Sequence, residues 1–448
     1  MSKVRYLLYS ILVIALFAIY HIFFPREYSY LLSVVDYVFN NLNHNLLNNS
    51  LYSMFYRNLN PLDILGIFLY LGLLVLFIFY PLLFGIFFFA GFGGYKKYDK
   101  SYEPTLSVII PSLNEADGLK RTIDTILTSE YPKEKIEILA IISGSTDNSE
   151  EICKQYINQN QPVRILNNTL NKKGKPPALN YGVSEAKNEI LVFYDSGAKL
   201  LPDTLHNLVA PLQNKKNKAV VGPLKVENWN KNTLTRGTAL ENATYNGPGL
   251  VHEILQRLGR TIWLFGRNWA IFKKDLEEIG KFDEDALTED LLVSVQLAVK
   301  NKKIVFVPNA VIYSKEPEKF QNFKKQRTRW LFGYRKDAGK LMQTSTKALR
   351  TVITRNFVML HYAHFPLFTV GAIIFTLIFI FIQDYYLVLV GLTMFIFTFG
   401  HIVNAVRKYG DKHYSNLLYL PWHFRNVGYM FTSQFRLPET LEWEKTSE

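Results

Sequence analysis

A single cysteine, Cys153, is the scarcest feature of this 448-residue chain. One thiol excludes an intramolecular disulfide and any metal site built from several thiolates. A buried small apolar residue is its ordinary reading. Acidic residues are also in deficit, 38 against 51 Lys and Arg, leaving a net charge of +13. Such an excess can signal nucleic-acid binding, but here the basic residues flank apolar runs: Lys3 and Arg5; Lys96, Lys97 and Lys100; Arg407, Lys408 and Lys412. The positive-inside tendency of membrane proteins places them there, so no nucleic-acid partner is expected. Four stretches lack Asp, Glu, Lys and Arg altogether: residues 6–25, 64–95, 356–383 and 385–406. Each reaches the roughly 20 residues that cross a bilayer core as a helix. The central part of the chain has no such run, and no internal repeat or low-complexity segment interrupts it.

These contrasts set the expected organisation. Residues 1–25 read as an N-terminal transmembrane helix, retained as an anchor because no small-residue cleavage pattern precedes Pro25. An extracytoplasmic loop over 26–61 and a transmembrane helix over 62–95 follow, the latter tilted or broken near Pro81. Gly91, Gly93 and Gly94 mark a flexible exit from it rather than a phosphate loop, since no strand precedes them. A cytoplasmic domain occupies 103–340. Residues 356–407 form a transmembrane hairpin whose two runs are separated only by Gln383 and Asp384. The 408–448 tail is interfacial, its apolar stretch at 413–431 being interrupted by Pro421 and Arg425. The chain is thus expected in the cell membrane, multi-pass, with its catalytic domain cytoplasmic.

Within 103–340 the texture changes to short apolar runs between amphipathic stretches. Thr105–Pro111, Ile136–Ile142 and Ile190–Asp195 read as buried strands. Leu119, Ile123, Ile126 and Leu127 recur at helical spacing between the first two. Residues 176–187 and 202–212 read as helices opened by proline. Alternating strands and helices imply an α/β layer with a largely parallel sheet, and such sheets bind ligands at the carboxyl ends of their strands.

Five polar constellations lie at those ends or beyond: Pro111-Ser-Leu-Asn114-Glu115, Ser143-Gly-Ser-Thr-Asp147, Asp195-Ser-Gly197, Thr288-Glu289-Asp290 and Gln326-Arg327-Thr328-Arg329-Trp330. Singly, each has an ordinary reading. Asn114 and Glu115 suit a helix cap, and Ser143 to Asp147 a turn and cap. Asp290 suits a helix start, and Arg327 and Arg329 suit a membrane edge.

Their order and spacing resemble the membrane-bound synthases of glycosyltransferase family 2, relatives of the cellulose, chitin, hyaluronan and poly-N-acetylglucosamine synthases. The resemblance covers Thr105 to Gly333 and continues weakly to Trp443-Glu-Lys-Thr446. Its most specific element is Thr-Glu-Asp followed about 36 residues later by Gln-x-x-Arg-Trp; Gly266-Arg267-Asn268 and Gly280 to Asp283 also fall where the family has similar sequences. The resemblance implies a GT-A fold (Rossmann-like, mostly parallel sheet) flanked by transmembrane α-helices, and an inverting transfer from a nucleotide-sugar donor. It casts Asp290 as catalytic base supported by Glu289. Donor contacts fall to Pro111, Asn114, Glu115, Ser143, Lys175 and Asp195; Asp195 also stands at the metal position, which implies a divalent cation, Mg or Mn. Gln326, Arg327, Arg329 and Trp330 face the acceptor and the diphosphate. Trp263 and Trp269 read as core packing rather than acceptor contacts.

Two departures stand out. Ile142 and Ser143 replace the paired aspartates that often precede Gly-Ser-Thr-Asp, one of which contacts the nucleotide base. Gly197 replaces the second Asp of Asp-x-Asp, leaving one carboxylate for a cation that prefers several hard oxygens. The donor's phosphates, another residue such as Asp147, or Lys and Arg in place of metal would each answer that deficit; lost activity is the fourth reading. The leading expectation is transfer to a polysaccharide at the membrane, with the bilayer and auxiliary membrane subunits as partners. Single-sugar transfer to a membrane lipid, and a non-catalytic membrane subunit, are the alternatives.

Overall fold

A computed structural model describes residues 80–142, 144–167, 174–246, 249–259, 263–381 and 385–433. Ser143, the 6–25 run, the 26–61 loop and residues 64–79 lie outside them, as does Trp443 to Thr446. The chain divides into two compact units, one of residues 1–89 and 368–400, the other of 90–367 and 401–448.

In chain order, short helical turns aside, the main elements are helix α1 (Tyr80–Ala90), β1 (Leu106–Ser112), α2 (Ala116–Leu127), β2 (Ile136–Ile142), α3 (Ser149–Asn158), β3 (Val163–Asn167), α4 (Lys175–Glu185), β4 (Ile190–Phe193) and β5 (Lys199–Leu200). Next come β6 (Asn217–Val221), β7 (Leu224–Val226), α5 (Thr233–Glu241), α6 (Leu250–Arg257), β8 (Trp269–Phe272), α7 (Glu289–Val299), β9 (Lys303–Phe306) and β10 (Ile312–Ser314). Helices α8 (Phe320–Met342), α9 (Thr346–Phe381), α10 (Tyr385–Tyr409) and α11 (Leu420–Ser433) follow.

The larger unit is built on a seven-stranded sheet in the order β3-β2-β1-β4-β8-β6-β9. β8 alone runs against its neighbours β4 and β6; the remaining pairings are parallel. Parallel strands are covered on both faces, which is why β1 and β2 read as unbroken apolar runs and are buried almost throughout. Leu119, Ile123, Ile126 and Leu127 of α2 all lie in the core beneath that sheet, as their spacing predicts. A second sheet, β5-β10-β7, sits beyond the main one. The strand order reverses between β1 and β4, and such a switch point opens a crevice at the carboxyl edge.

The exit after α1 is tied down rather than loose. A helix end leaves carbonyls without partners. Here Arg257 donates to Ala90 O, Gly93 O and Gly94 O, and Asn404 Nδ2 donates to Gly91 O at 2.9 Å. In the smaller unit, Phe88 and Phe89 of α1 pack on Phe397 of α10, ring centroids 5.4 and 5.7 Å apart. Among the described residues one helix, Val388–Tyr409, is long and apolar enough to cross a membrane.

Candidate active site

The loops after β1 and β2 are laced together. Asn114 sits at φ 52°, a left-handed conformation that asparagine tolerates better than most residues. Its Oδ1 accepts from Thr146 N at 2.8 Å, and its own N–H donates to Ser145 Oγ at 3.0 Å. Asp147 Oδ2 accepts from Ala116 N (2.8 Å) in the first turn of α2. Its Oδ1 accepts from Ser149 N (3.2 Å) and Oγ (2.6 Å) at the start of α3. Burial opposes its ionisation, but these donors hold its carboxyl below the usual carboxylate range. One side chain therefore caps two helix ends, and Asp147 is committed to that task. Glu115, the residue before α2, makes no capping bond with its side chain.

β4 delivers Asp195 to the crevice. Gly197 follows at φ 90°, where glycine is favoured, and its N–H donates to Gly118 O at 3.0 Å. Ser196 Oγ donates to Pro111 O at 3.3 Å, closing the β1 edge. Lys175, the first residue of α4, crosses to the same point: its Nζ lies 2.8 Å from Asp195 Oδ1 and 2.9 Å from Glu289 Oε1, and donates to Gly266 O at 3.2 Å. Burial alone would lower the lysine pKa; Asp195 and Glu289 reverse that and hold it above the ordinary range. A Cβ on Gly266 would stand 3.1 Å from Lys175 Nζ, 3.7 Å from Glu289 Oε1 and 3.8 Å from Asp290 Oδ2. The glycine gives these three groups room to meet.

Glu289 and Asp290 open α7, where the helix dipole favours acids. Asp290 is pushed up to about 6, first by burial and then by the adjacent Glu289 charge. Lys175, the Leu291 N–H and Arg355 pull the other way and keep it from rising further. Arg355 lies over the rings of Tyr334 (4.7 Å) and Trp263 (5.4 Å).

Helix α8 carries the last motif, and its residues separate. Arg329 is largely buried, within electrostatic range of Glu289, Asp195 and Asp290; burial lowers its pKa against their pull. Its Nε and the Gln326 Oε1 are buried without hydrogen-bond partners among the described residues. Arg327, expected at the diphosphate, is corrected by the structure. It is completely buried, Nη1 lies 3.2 Å from Glu241 Oε1, and Nη2 donates to Glu241 Oε2 at 3.3 Å. Its guanidinium also stacks 4.3 Å from the Trp330 ring. A buried guanidinium without a counter-charge is costly, so Glu241 claims it. Trp269 is buried in β8, stacked 4.2 Å from Phe193, and Trp263 is buried too.

The sequence reading missed a clasp between α8 and α7. Asp337, 2% exposed, accepts from Leu287 N (3.1 Å), Thr288 N (2.8 Å) and Thr288 Oγ1 (2.6 Å), all on Oδ2. One turn earlier, a Cβ on Gly333 would come within 2.7 Å of Leu287 Cβ and 3.0 Å of Thr288 Cγ2. Gly333 permits the approach, and Asp337 fixes the residue that precedes Glu289 and Asp290. The signal was the spacing 326, 330, 333, 337, which puts the motif and the clasp on one helix face.

A divalent cation does not fit this donor set. No group of three or more His, Cys, Asp or Glu among the described residues is arranged to hold a metal ion. Asp195 faces an ammonium, Gly197 has no side chain, and Asp147 is spent on helix ends.

Residues 107–280 match the family model Glycosyl transferase family 2. A probable glycosyltransferase YdaM of Bacillus subtilis is 28% identical over 285 residues, which is 62% of this chain and 66% of that protein. A poly-beta-1,6-N-acetyl-D-glucosamine synthase of Staphylococcus epidermidis is 25% identical over 337 residues, 71% of this chain and 79% of that protein. Among solved structures, the mannosyltransferase PcManGT of Pyrobaculum calidifontis, in complex with GDP-Man and Mn2+, superposes with a TM-score of 0.52 at 18% identity. The match covers 82% of this chain and 97% of that one, a likeness of fold. Over residues 107–280 the chain is thus similar to family 2 glycosyltransferases, and its fold is of the GT-A type.

Proposed function

We propose that the protein is an inverting glycosyltransferase that moves a sugar from a nucleotide-sugar donor to a polysaccharide acceptor at the membrane. The observation that carries this reading is the meeting of Lys175, Asp195, Glu289 and Asp290 at one crevice edge, with Asp290 held near 6. A carboxylate of that pKa is ionised at neutral pH yet more basic than an ordinary one, as a general base should be. The acceptor hydroxyl gives its proton to Asp290, and its oxygen bonds the anomeric carbon from the face opposite the leaving group. The carbon–oxygen bond to the diphosphate breaks, and its electron pair leaves with the nucleoside diphosphate. Lys175 and Arg329 supply the positive charge that stabilises this departure. Gln326 and Trp330, on the helix that clasps the Asp290 loop, bound the acceptor side, and Trp330 offers a sugar a flat apolar face.

The relative named as a poly-N-acetylglucosamine synthase supports a polymer over a single transfer. The apolar helix Val388–Tyr409 supports a membrane setting, and the charge-free runs at 6–25, 64–95 and 356–383 extend that to a multi-pass chain with the catalytic domain in the cytoplasm.

Labelled UDP- and GDP-sugars given to membranes containing the protein test the proposal through the product. A β-linked polymer or ladder from an α-linked donor supports it. A single lipid-soluble product replaces the polymer with lipid transfer, and a product that keeps the donor's configuration contradicts the inverting mechanism.

A further inference from the structure

Asp195 stands where a divalent cation would be held, and its surroundings give it a different cation. The Lys175 ammonium has three N–H donors, and each has an acceptor: Asp195 Oδ1 at 2.8 Å, Glu289 Oε1 at 2.9 Å and Gly266 O at 3.2 Å. The start of a helix is a poor place for a positive charge, because the dipole opposes it; carboxylates from two other loops hold it there. The position two residues past Asp195 offers no second arm. Gly197 has φ 90°, which L side chains rarely adopt, and its turn is locked to α2 through Gly118 O. A Cβ on Gly118 would itself lie 3.0 Å from Gly197 N. The turn therefore favours glycine on backbone grounds. A hard cation takes several oxygen ligands, and this loop presents one carboxylate already in an ion pair.

From this donor set we infer that Lys175 is a built-in cation replacing the divalent metal: with Arg329 it holds the donor diphosphate, and donor binding needs no metal ion. The inference rests on the donor reading given above. Gly266 O is the most distant of the three acceptors, and it is the one a phosphate oxygen displaces. The ammonium then bridges the phosphate to Asp195 and Glu289, so the charge on the leaving group is met without a coordination shell.

Titration of the purified full chain with UDP and with GDP, by calorimetry in EDTA and again in excess Mn2+, tests this. Electron paramagnetic resonance of the Mn2+ runs alongside. The expected result is a Kd that agrees within about threefold between EDTA and Mn2+, with no nucleotide-dependent capture of the ion. Lys175→Gln should weaken binding by roughly 10- to 100-fold, the loss of one charge-assisted contact, whereas Lys175→Arg should retain most of it. Should Lys175→Gln fail to fold, the wild-type comparison alone decides. Binding weakened tenfold or more by EDTA, or stoichiometric Mn2+ captured with nucleotide, overturns the inference and leaves the glycosyltransferase reading intact. Absence of binding by either nucleotide in either condition removes the donor site itself, and this inference with it.

Discussion

Asp337 bonds to Leu287 and Thr288, neither of them expected to touch substrate, yet its removal should cost activity. The Asp337→Ala variant strips three hydrogen bonds from one carboxylate oxygen, two to backbone N–H groups and one to the Thr288 hydroxyl. Bonds to a charged acceptor contribute about 1.5–3 kcal/mol each. They share one oxygen and are not additive, so a total loss of about 3–5 kcal/mol is expected. The carboxylate also lies at the N-terminus of α7, where an anion adds roughly 0.3–1 kcal/mol. The kinetic consequence follows from what the clasp holds. Thr288 immediately precedes Glu289 and Asp290, and a displacement of about 1 Å at a base can cost about 100-fold in rate. We expect kcat for sugar transfer to fall about 100-fold in Asp337→Ala and about tenfold in Asp337→Asn, which keeps an acceptor oxygen but loses the charge. Donor affinity should move less than about threefold, because Lys175 and Asp195 stand on other loops. Steady-state transfer with the folded variants, checked by melting temperature, measures both. A folded Asp337→Ala protein with lowered Tm but unchanged kcat would mean that the clasp serves stability alone.

Further outcomes are expected at Asp290, Arg327 and Cys153. As base, Asp290 must be ionised, so kcat/KM should fall as pH drops through about 6. A carboxyl whose folded pKa is raised favours the folded state only while protonated, and that stability is lost as pH rises through about 6. Asp290→Asn should therefore stabilise the folded protein at pH 8 by on the order of 2 kcal/mol, seen as a raised Tm, while removing activity. Breaking the buried Arg327–Glu241 pair by Arg327→Ala should cost about 3–5 kcal/mol in denaturant unfolding. The double change Arg327→Met with Glu241→Leu should be near neutral, since it leaves no buried charge alone. Cys153, wholly buried, has its thiol pushed up to about 12 by burial; a thiol reagent should label it only after unfolding.

Much of the fold was legible for a physical reason. A parallel strand covered on both faces shows as an apolar run, and β1, β2 and β4 emerged at nearly their observed limits. The strands β5, β7 and β10 carry too few residues to show a period. At the site, the spacing of Thr-Glu-Asp and Gln-x-x-Arg-Trp named Asp290 and Arg329, which the fold brings within electrostatic range. What sequence could not supply was partnership. Arg327 and Arg329 look equivalent in the chain; only Glu241, 86 residues away, distinguishes them. Asp337 shares a helix face with Gln326, Trp330 and Gly333, but its partner Thr288 lies 49 residues away. Gly197 was visible as a departure, but its positive φ and its hold on Gly118 belong to the turn.

Whether Asp290 is the base of a sugar transfer is decided by one comparison. Wild-type protein and Asp290→Asn are incubated with a panel of labelled nucleotide sugars, and product formation is measured beside nucleotide binding. Transfer from at least one donor is expected, reduced by about 100- to 10,000-fold in the variant, with nucleotide affinity retained. Transfer of equal rate in both proteins would contradict that role for Asp290.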